Sequence, residues 1–167
     1  MATRSRTRPT PAPIRDRSSL ALITHLAQVV RRDADQALAD VDGMRPRHLV
    51  ALTLLRDHGP MAQAALGEAL RLDPSNVVAL LNDLEARGLV ARRRDPEDRR
   101  RHIVELSEGG GRALDRAEDG LSAVEDRIFG TLSADERRTL HGLLLRASGD
   151  RLPDCTEAAT PEDEPAC

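Results

Sequence analysis

"VARRRDPEDRRRHIVELS" runs from Val90 to Ser107 and sets two blocks of three arginines around Asp95-Pro96-Glu97-Asp98. The first block closes the run Leu89-Val90-Ala91. The second leads into Ile103-Val104, whose β-branched side chains favour a strand. Asp and Pro are turn formers, so "RRRDPEDRRRH" reads as the turn of a two-stranded hairpin tipped by Asp95, Pro96, Glu97 and Asp98. From Arg87 to Arg101 the arginines Arg87, Arg92, Arg93, Arg94, Arg99, Arg100 and Arg101 face only Asp95, Glu97 and Asp98, a local balance of +4. The whole chain has a net charge of -3, so this turn is a concentrated exception.

The segment just before it, "LDPSNVVALLNDLEARGLV", reads as a helix with a sharp start. Asp73 stands where an N-cap belongs, and Pro74 takes the first helical position, where its missing N–H costs nothing. Val77, Leu80, Leu81 and Leu84 then recur at i, i+3, i+4 and i+7 as one buried stripe, and Gly88 stops the helix. Upstream, "RHLVALTLLRDHG" is a helix ending at Gly59, and "MAQAALGEALRL" is a short Ala/Leu-rich helix. At the N-terminal end, Ile23, Leu26, Ala27, Val30, Ala34, Ala37, Leu38 and Val41 make a long amphipathic helix between about Ser18 and Val41. After the connector Gly109-Gly110-Gly111 come "RALDRAEDGLSAVEDRIFGTL" and "SADERRTLHGLLLRA", the latter opened by a Ser133/Glu136 capping box.

Helix, connector, helix with an Asp-Pro start, then a hairpin tipped with arginines: that is the plan of a helix-turn-helix with a wing. A helix fits the major groove of duplex DNA with its N-terminal residues at the base edges. An arginine-tipped hairpin beside it extends toward the neighbouring minor groove, whose negative potential attracts guanidinium. With Val77, Leu80, Leu81 and Leu84 committed to the core, Ser75, Asn76, Ala79 and Asn82 face outward to read bases. Asp83 would repel phosphate and is expected to face away from the DNA backbone.

Composition bounds the rest. The chain has 167 residues, 40% hydrophobic and 32% charged, enough for one ordinary domain. All its basic side chains except histidine are arginine, and Phe129 stands alone with no Trp or Tyr, so the core must be aliphatic and stacking platforms for single-stranded nucleic acid are largely ruled out. No run of about 18 apolar residues exists, so no membrane partner is expected. Residues 1–17 carry a side-chain balance of +4 and read as a disordered basic arm, with no apolar core of a secretory signal. Residues 149–167 read as a disordered acidic tail. Both cysteines, Cys155 and Cys167, fall there, which fits a reducing cytoplasm without a structural disulfide.

From roughly Leu49 to Arg112 the chain resembles the MarR family of bacterial winged-helix regulators. The wing carries that likeness through Asp98, Arg100, Val104, Leu106, Ser107 and Gly110, and "DPSNVVALLNDLEARGLV" matches the recognition helix equally well. The flanking helices match in placement alone. The resemblance implies a mainly α fold with a small β-hairpin: a winged helix-turn-helix at about 46–108, within a domain of residues 18–148, flanked by dimerisation helices at about 18–42 and 112–148. It implies a homodimer acting on a pseudo-palindromic duplex operator as a transcriptional regulator, a repressor in the first instance, with no cofactor. Arg100 would enter the minor groove, its guanidinium oriented by Asp98, with Arg93, Arg94, Arg99 and Arg101 on or near phosphates. It further implies release by a small aromatic or anionic effector lodged between the dimer helices and the winged domain. Here Leu22, His25, Leu26, Arg45, His48, Leu49 and Leu52 would line that junction, Arg45 and His48 meeting the anion.

Rival functions find less in the sequence. His25, His48, His58, His102 and His141 are scattered, with no metal-ligand spacing, and no P-loop, nucleophile elbow or dinucleotide turn is present, so no enzyme and no metal site are expected. A thiol-based redox sensor needs a cysteine in electropositive surroundings, whereas Cys155 and Cys167 sit among acids. A helical protein-interaction module without a DNA role predicts no retention on heparin or duplex DNA at low salt.

Overall fold

The computed structural model describes residues 18–96, 98 and 100–149 of the chain; the basic arm and, from residue 150 on, the acidic tail lie outside them. Its elements are α1 (Ser19–Ala39), α2 (Pro46–His58), β1 (Met61–Ala62), α3 (Gln63–Ala69), α4 (Pro74–Ala86), β2 (Val90–Arg94), β3 (His102–Leu106), α5 (Glu108–Phe129) and α6 (Ala134–Ser148). This is the expected mainly helical winged helix-turn-helix.

Local chemistry explains each boundary near the centre. The Asp73 carboxylate accepts the N–H groups of Ser75 and Asn76, each at 3.0 Å, and Pro74 opens α4. Val77, Leu80, Leu81 and Leu84 are all buried along α4, as their spacing requires. Together with Leu52, Leu55, Leu66, Val104 and Leu114 they form one aliphatic core. Burying each leucine contributes about 1.5–3 kcal/mol relative to leaving it in water.

The wing differs from a simple hairpin. Met61 and Ala62 add a third antiparallel strand, giving the order β1-β3-β2 with Met61 opposite Val104. The segment from Met61 that reads as all helix therefore becomes helical only at Gln63. Across the hairpin, Val90 faces Leu106, Arg92 faces Val104 and Arg94 faces His102. Side chains alternate across a strand, so Val90, Arg92, Val104 and Leu106 share one face and Arg93, Ile103 and Glu105 the other.

The glycine run also departs from its reading as a connector, because α5 begins at Glu108 and passes through it. Ser107 caps this helix by accepting the Gly110 N–H at 2.9 Å, while its hydroxyl donates to the Gly88 carbonyl at 2.6 Å. A Cβ at Gly110 would lie 2.0 Å from the Leu89 carbonyl oxygen, so no larger residue fits there. The root of the wing is thus locked to the first turn of α5.

The flanking helices are bound less completely. α1 packs along α5 yet buries only Leu38, leaving Leu20, Leu22 and Ile23 between 54% and 73% exposed. α6 has no buried residue, and Leu143, Leu144 and Leu145 face solvent.

Candidate nucleic-acid interface

One face of the molecule joins the outer side of α4 to the wing. Ser75, Asn76, Ala79 and Asn82 are all exposed on α4, and Val78, absent from the sequence reading, lies among them at 40% exposure. It sits one step outside the buried stripe. An exposed β-branched methyl pair on a reading helix is suited to the methyl group of thymine.

The polar candidates on this helix are already engaged. Ser75 Oγ donates to Asp73 Oδ1 at 2.6 Å, and Asn76 Nδ2 donates to Asp73 Oδ2 at 2.5 Å. These bonds, that of the Ser75 side chain foremost, hold the Asp73 carboxyl at about 2, below its usual 3.8. Asn76 keeps its amide oxygen and one N–H for a base, and Ser75 keeps acceptor capacity. Because the folded-state value is depressed, the stability Asp73 lends α4 is complete above pH 3.8 and is lost as pH falls toward 2. Asp73→Ala is therefore expected to lower the thermal midpoint at pH 7. The gap to the wild type should close between pH 4 and 2, and a gap independent of pH would contradict this role.

Asn82 is less free than its exposure implies. Its Oδ1 accepts Arg92 Nη2 at 2.7 Å, and Arg92 also donates through Nε to Glu85 at 3.0 Å. Arg92 lies on the inner face of the sheet, which is why it reaches α4. Arg93, on the outer face, pairs diagonally across the strands with Glu105 at 3.3 Å.

The wing tip is built differently from the expected Asp98–Arg100 guanidinium pair. Asp98 Oδ1 accepts the Arg100 backbone N–H at 3.0 Å, and its carbonyl accepts the Arg101 N–H at 2.8 Å. Asp98 therefore shapes the turn, since a carboxylate two residues before an N–H closes an Asx-type bond. Most arginines of the described residues pair with a carboxylate. Arg47, Arg94, Arg100, Arg101 and Arg146 have no such partner among the described residues, and Arg94, Arg100 and Arg101 belong to the wing. Arg99 lies outside the described residues.

Behind α4 sits a polar cluster that joins Asp83 to Arg45 and His48, two residues expected at the effector junction. Asp83 accepts Arg45 Nη2 at 2.6 Å and Arg87 Nε at 2.8 Å, and contacts His48 Nε2 at 3.1 Å. His48 is wholly buried, and its Nδ1 accepts the Arg45 N–H at 3.3 Å, leaving Nε2 to carry the proton and donate to Asp83. Burial, reinforced by Arg45, lowers its pKa from 6.5 to about 4, so the ring is neutral at pH 7. The carboxylate that Arg45 and His48 meet is the chain's own. Two members of the expected effector junction are thereby corrected: His48 and Leu52 are both 0% exposed, packed inside the domain, while Leu22 and His25 lie exposed on α1. Leu26 and Leu49 are half-buried. Spacing along a helix does not reveal which of its polar groups will be covered by another helix. Cys155 and Cys167 lie outside the described residues, among which no cluster of His, Cys, Asp and Glu has metal-binding geometry.

The profile of the MarR family matches residues 44–102, which hold α2 through the turn of the wing. The HTH-type transcriptional repressor NicR of Pseudomonas putida is 39% identical over 97 residues, 58% of this chain and 61% of its own length. An uncharacterized HTH-type transcriptional regulator of Bacillus subtilis, YkoM, is 32% identical over 105 residues, 63% of this chain and 68% of its own. A mutant MarR from E. coli, solved in complex with operator DNA, superimposes with a TM-score of 0.59 at 25% identity, covering 80% of this chain and 92% of that one.

Proposed function

The chain belongs to the MarR family of transcriptional regulators, DNA-binding winged-helix proteins, and from that premise we propose that it is a homodimeric repressor of a pseudo-palindromic operator. Its α4 enters the major groove and its wing the adjacent minor groove. Asn76, Ser75, Val78 and Ala79 meet base edges, Asn82 joining them where Arg92 releases it. Arg100 enters the minor groove, with Arg94, Arg99 and Arg101 at phosphates and Arg93 beside them. The observation that carries this reading is the set of guanidiniums at Arg94, Arg100 and Arg101 with no carboxylate partner among the described residues, Arg94 on the strand face of Arg92 and Arg100 and Arg101 beside Pro74 and Val77 of α4.

The dimer is supported by two apolar surfaces that the single chain leaves in water, Leu20, Leu22 and Ile23 on α1 and Leu143 to Leu145 on α6. Monomeric proteins seldom expose such patches. The two recognition helices would then sit about 34–36 Å apart, one DNA turn. An effector at the expected junction would have to open the packing around His48 and Leu52. A cavity of about 450 Å³ offers a small organic anion easier access. Its lining includes Leu72, Val77, Arg100 and Arg101, with Glu68 opposing an anion, so an occupant touching Arg100 and Arg101 would compete directly with DNA.

The test is to sequence the duplexes that the full chain retains from a random pool, then titrate the selected duplex with Arg100→Ala. The variant is expected to lose about 1–3 kcal/mol of binding free energy and to show a salt slope smaller by about 1. Unchanged affinity and slope would remove Arg100 from the interface.

A further inference from the structure

Hydrophobic burial holds α4 in place without giving it a direction. Val77, Leu80, Leu81 and Leu84 fasten one side of the helix, but burial is non-directional and defines rotation and sliding only loosely. Direction comes from Asp83. Its Oδ2 takes Arg45 at 2.6 Å and His48 at 3.1 Å, both from the start of α2, and its Oδ1 takes Arg87 at 2.8 Å. Arg87 Nη1 continues to the carbonyls of Asp42 at 2.7 Å and Gly43 at 3.0 Å, in the α1–α2 connection. The Asp42 carboxylate then receives Arg116 of α5 at 2.8 Å. One carboxylate on the reading helix is therefore tied to α2, to the α1–α2 connection and, through Asp42, to α5.

The chemistry of the cluster favours geometry over adhesion. His48 is a fully buried polar ring that a leucine would replace at lower desolvation cost. Its hydrogen bonds are directional where a leucine's contacts would not be. Arg87 is counted among the basic residues near the wing, yet its donors are committed to Asp83, Asp42 and Gly43. It serves the frame.

We infer that Asp83 is a positioning residue for DNA reading, which fixes the angle of α4 against the α1–α5 frame so that the two half-sites are met in register. This rests on the proposed dimeric, two-half-site reading. Asp83 is committed to Arg45, His48 and Arg87, so its contribution lies in the spacing of the two reading helices and is absent from contacts made within one half-site.

The experiment uses the full chain, the duplex selected by the wild type, the same duplex cut to one half-site, and a scrambled duplex. Asp83→Ala is expected to lose about tenfold or more in affinity for the two-half-site duplex, the scale of one lost specific contact. Its affinity for the half-site and the scrambled duplex should stay close to the wild type's, with the dimer mass preserved. Asp83→Glu, which keeps the carboxylate, should recover part of the loss. Should Asp83→Ala fail to fold, Arg87→Gln breaks the same tie from its other partner and gives the same comparison. Equal losses on all three duplexes, or a loss that follows the fall in thermal midpoint across the variants, would mean a merely structural role and overturn the inference. No loss on the two-half-site duplex would overturn it as well. If the wild type itself selects no duplex, the proposed function fails first, and that outcome is distinct from the others.

Discussion

On the proposed dimeric reading, Leu143→Glu combined with Leu144→Glu is expected to yield a folded monomer that no longer holds the selected duplex. Both side chains are about half exposed in the single chain, and α6 buries none of its residues, so the substitutions remove nothing from the core. In the dimer they would place two carboxylates in an apolar seam with no partner, and a buried unpaired charge is among the costliest changes available. The effect on DNA follows from bivalency. A dimer's second half-site binds at the high effective concentration set by the first, and losing it reduces affinity by about 10²–10⁴-fold. Light scattering reads the mass, and titration with the selected duplex reads the affinity. A dimer that persists with normal binding would place the interface on other surfaces.

The second large effect is a loss of stability in mild acid, traced to His48. Its folded-state pKa is lowered from 6.5 to about 4, with desolvation the main cause and Arg45 next, opposed by Asp83. For a base with a depressed value, the unfolded chain takes the proton first. The stability is therefore fully present above pH 6.5, declines as pH falls from 6.5 to 4, and changes little further below that. Over that window the cost approaches about 3 kcal/mol. The carboxylates held below their ordinary values, Asp83, Glu85, Glu118 and Glu136 among them, act lower, from their usual 3.8 or 4.5 downward. His48→Gln, neutral throughout, should show a flat stability between pH 6.5 and 4.5. A wild-type midpoint that is flat over the same range would show that the ring is not kept neutral by burial.

These effects differ in how far the sequence announced them. The reading helix and wing were legible because their signals are local: a cap and proline at Asp73-Pro74, a four-residue apolar stripe, β-branched residues after a charged turn. β1 was not, since two residues of Met-Ala carry no alternation and acquire strand geometry only by pairing with Ile103 and Val104. The start of α5 was hidden because glycine disfavours helices. Here the Leu89 carbonyl leaves no room for a Cβ at Gly110, and the Ser107 cap supports the helix start despite that preference. The roles of Arg92, Asn82, Asp98 and His48 depend on neighbours distant in sequence or on turn geometry, and composition cannot assign partners. The stripe on α1 is legible as periodic, but periodicity does not say whether its cover belongs to the same chain.

The wing's arginines have a further effect through the company they keep. Arg92 is held by Glu85, Arg93 by Glu105 and Arg87 by Asp83, so a good part of the positive charge near the wing is cancelled within the molecule. Attraction to arbitrary DNA grows with the number of phosphates neutralised, and a genome offers a vast excess of irrelevant sites. On the proposed reading, internal cancellation lowers the pull of arbitrary DNA and leaves discrimination to shape and bases.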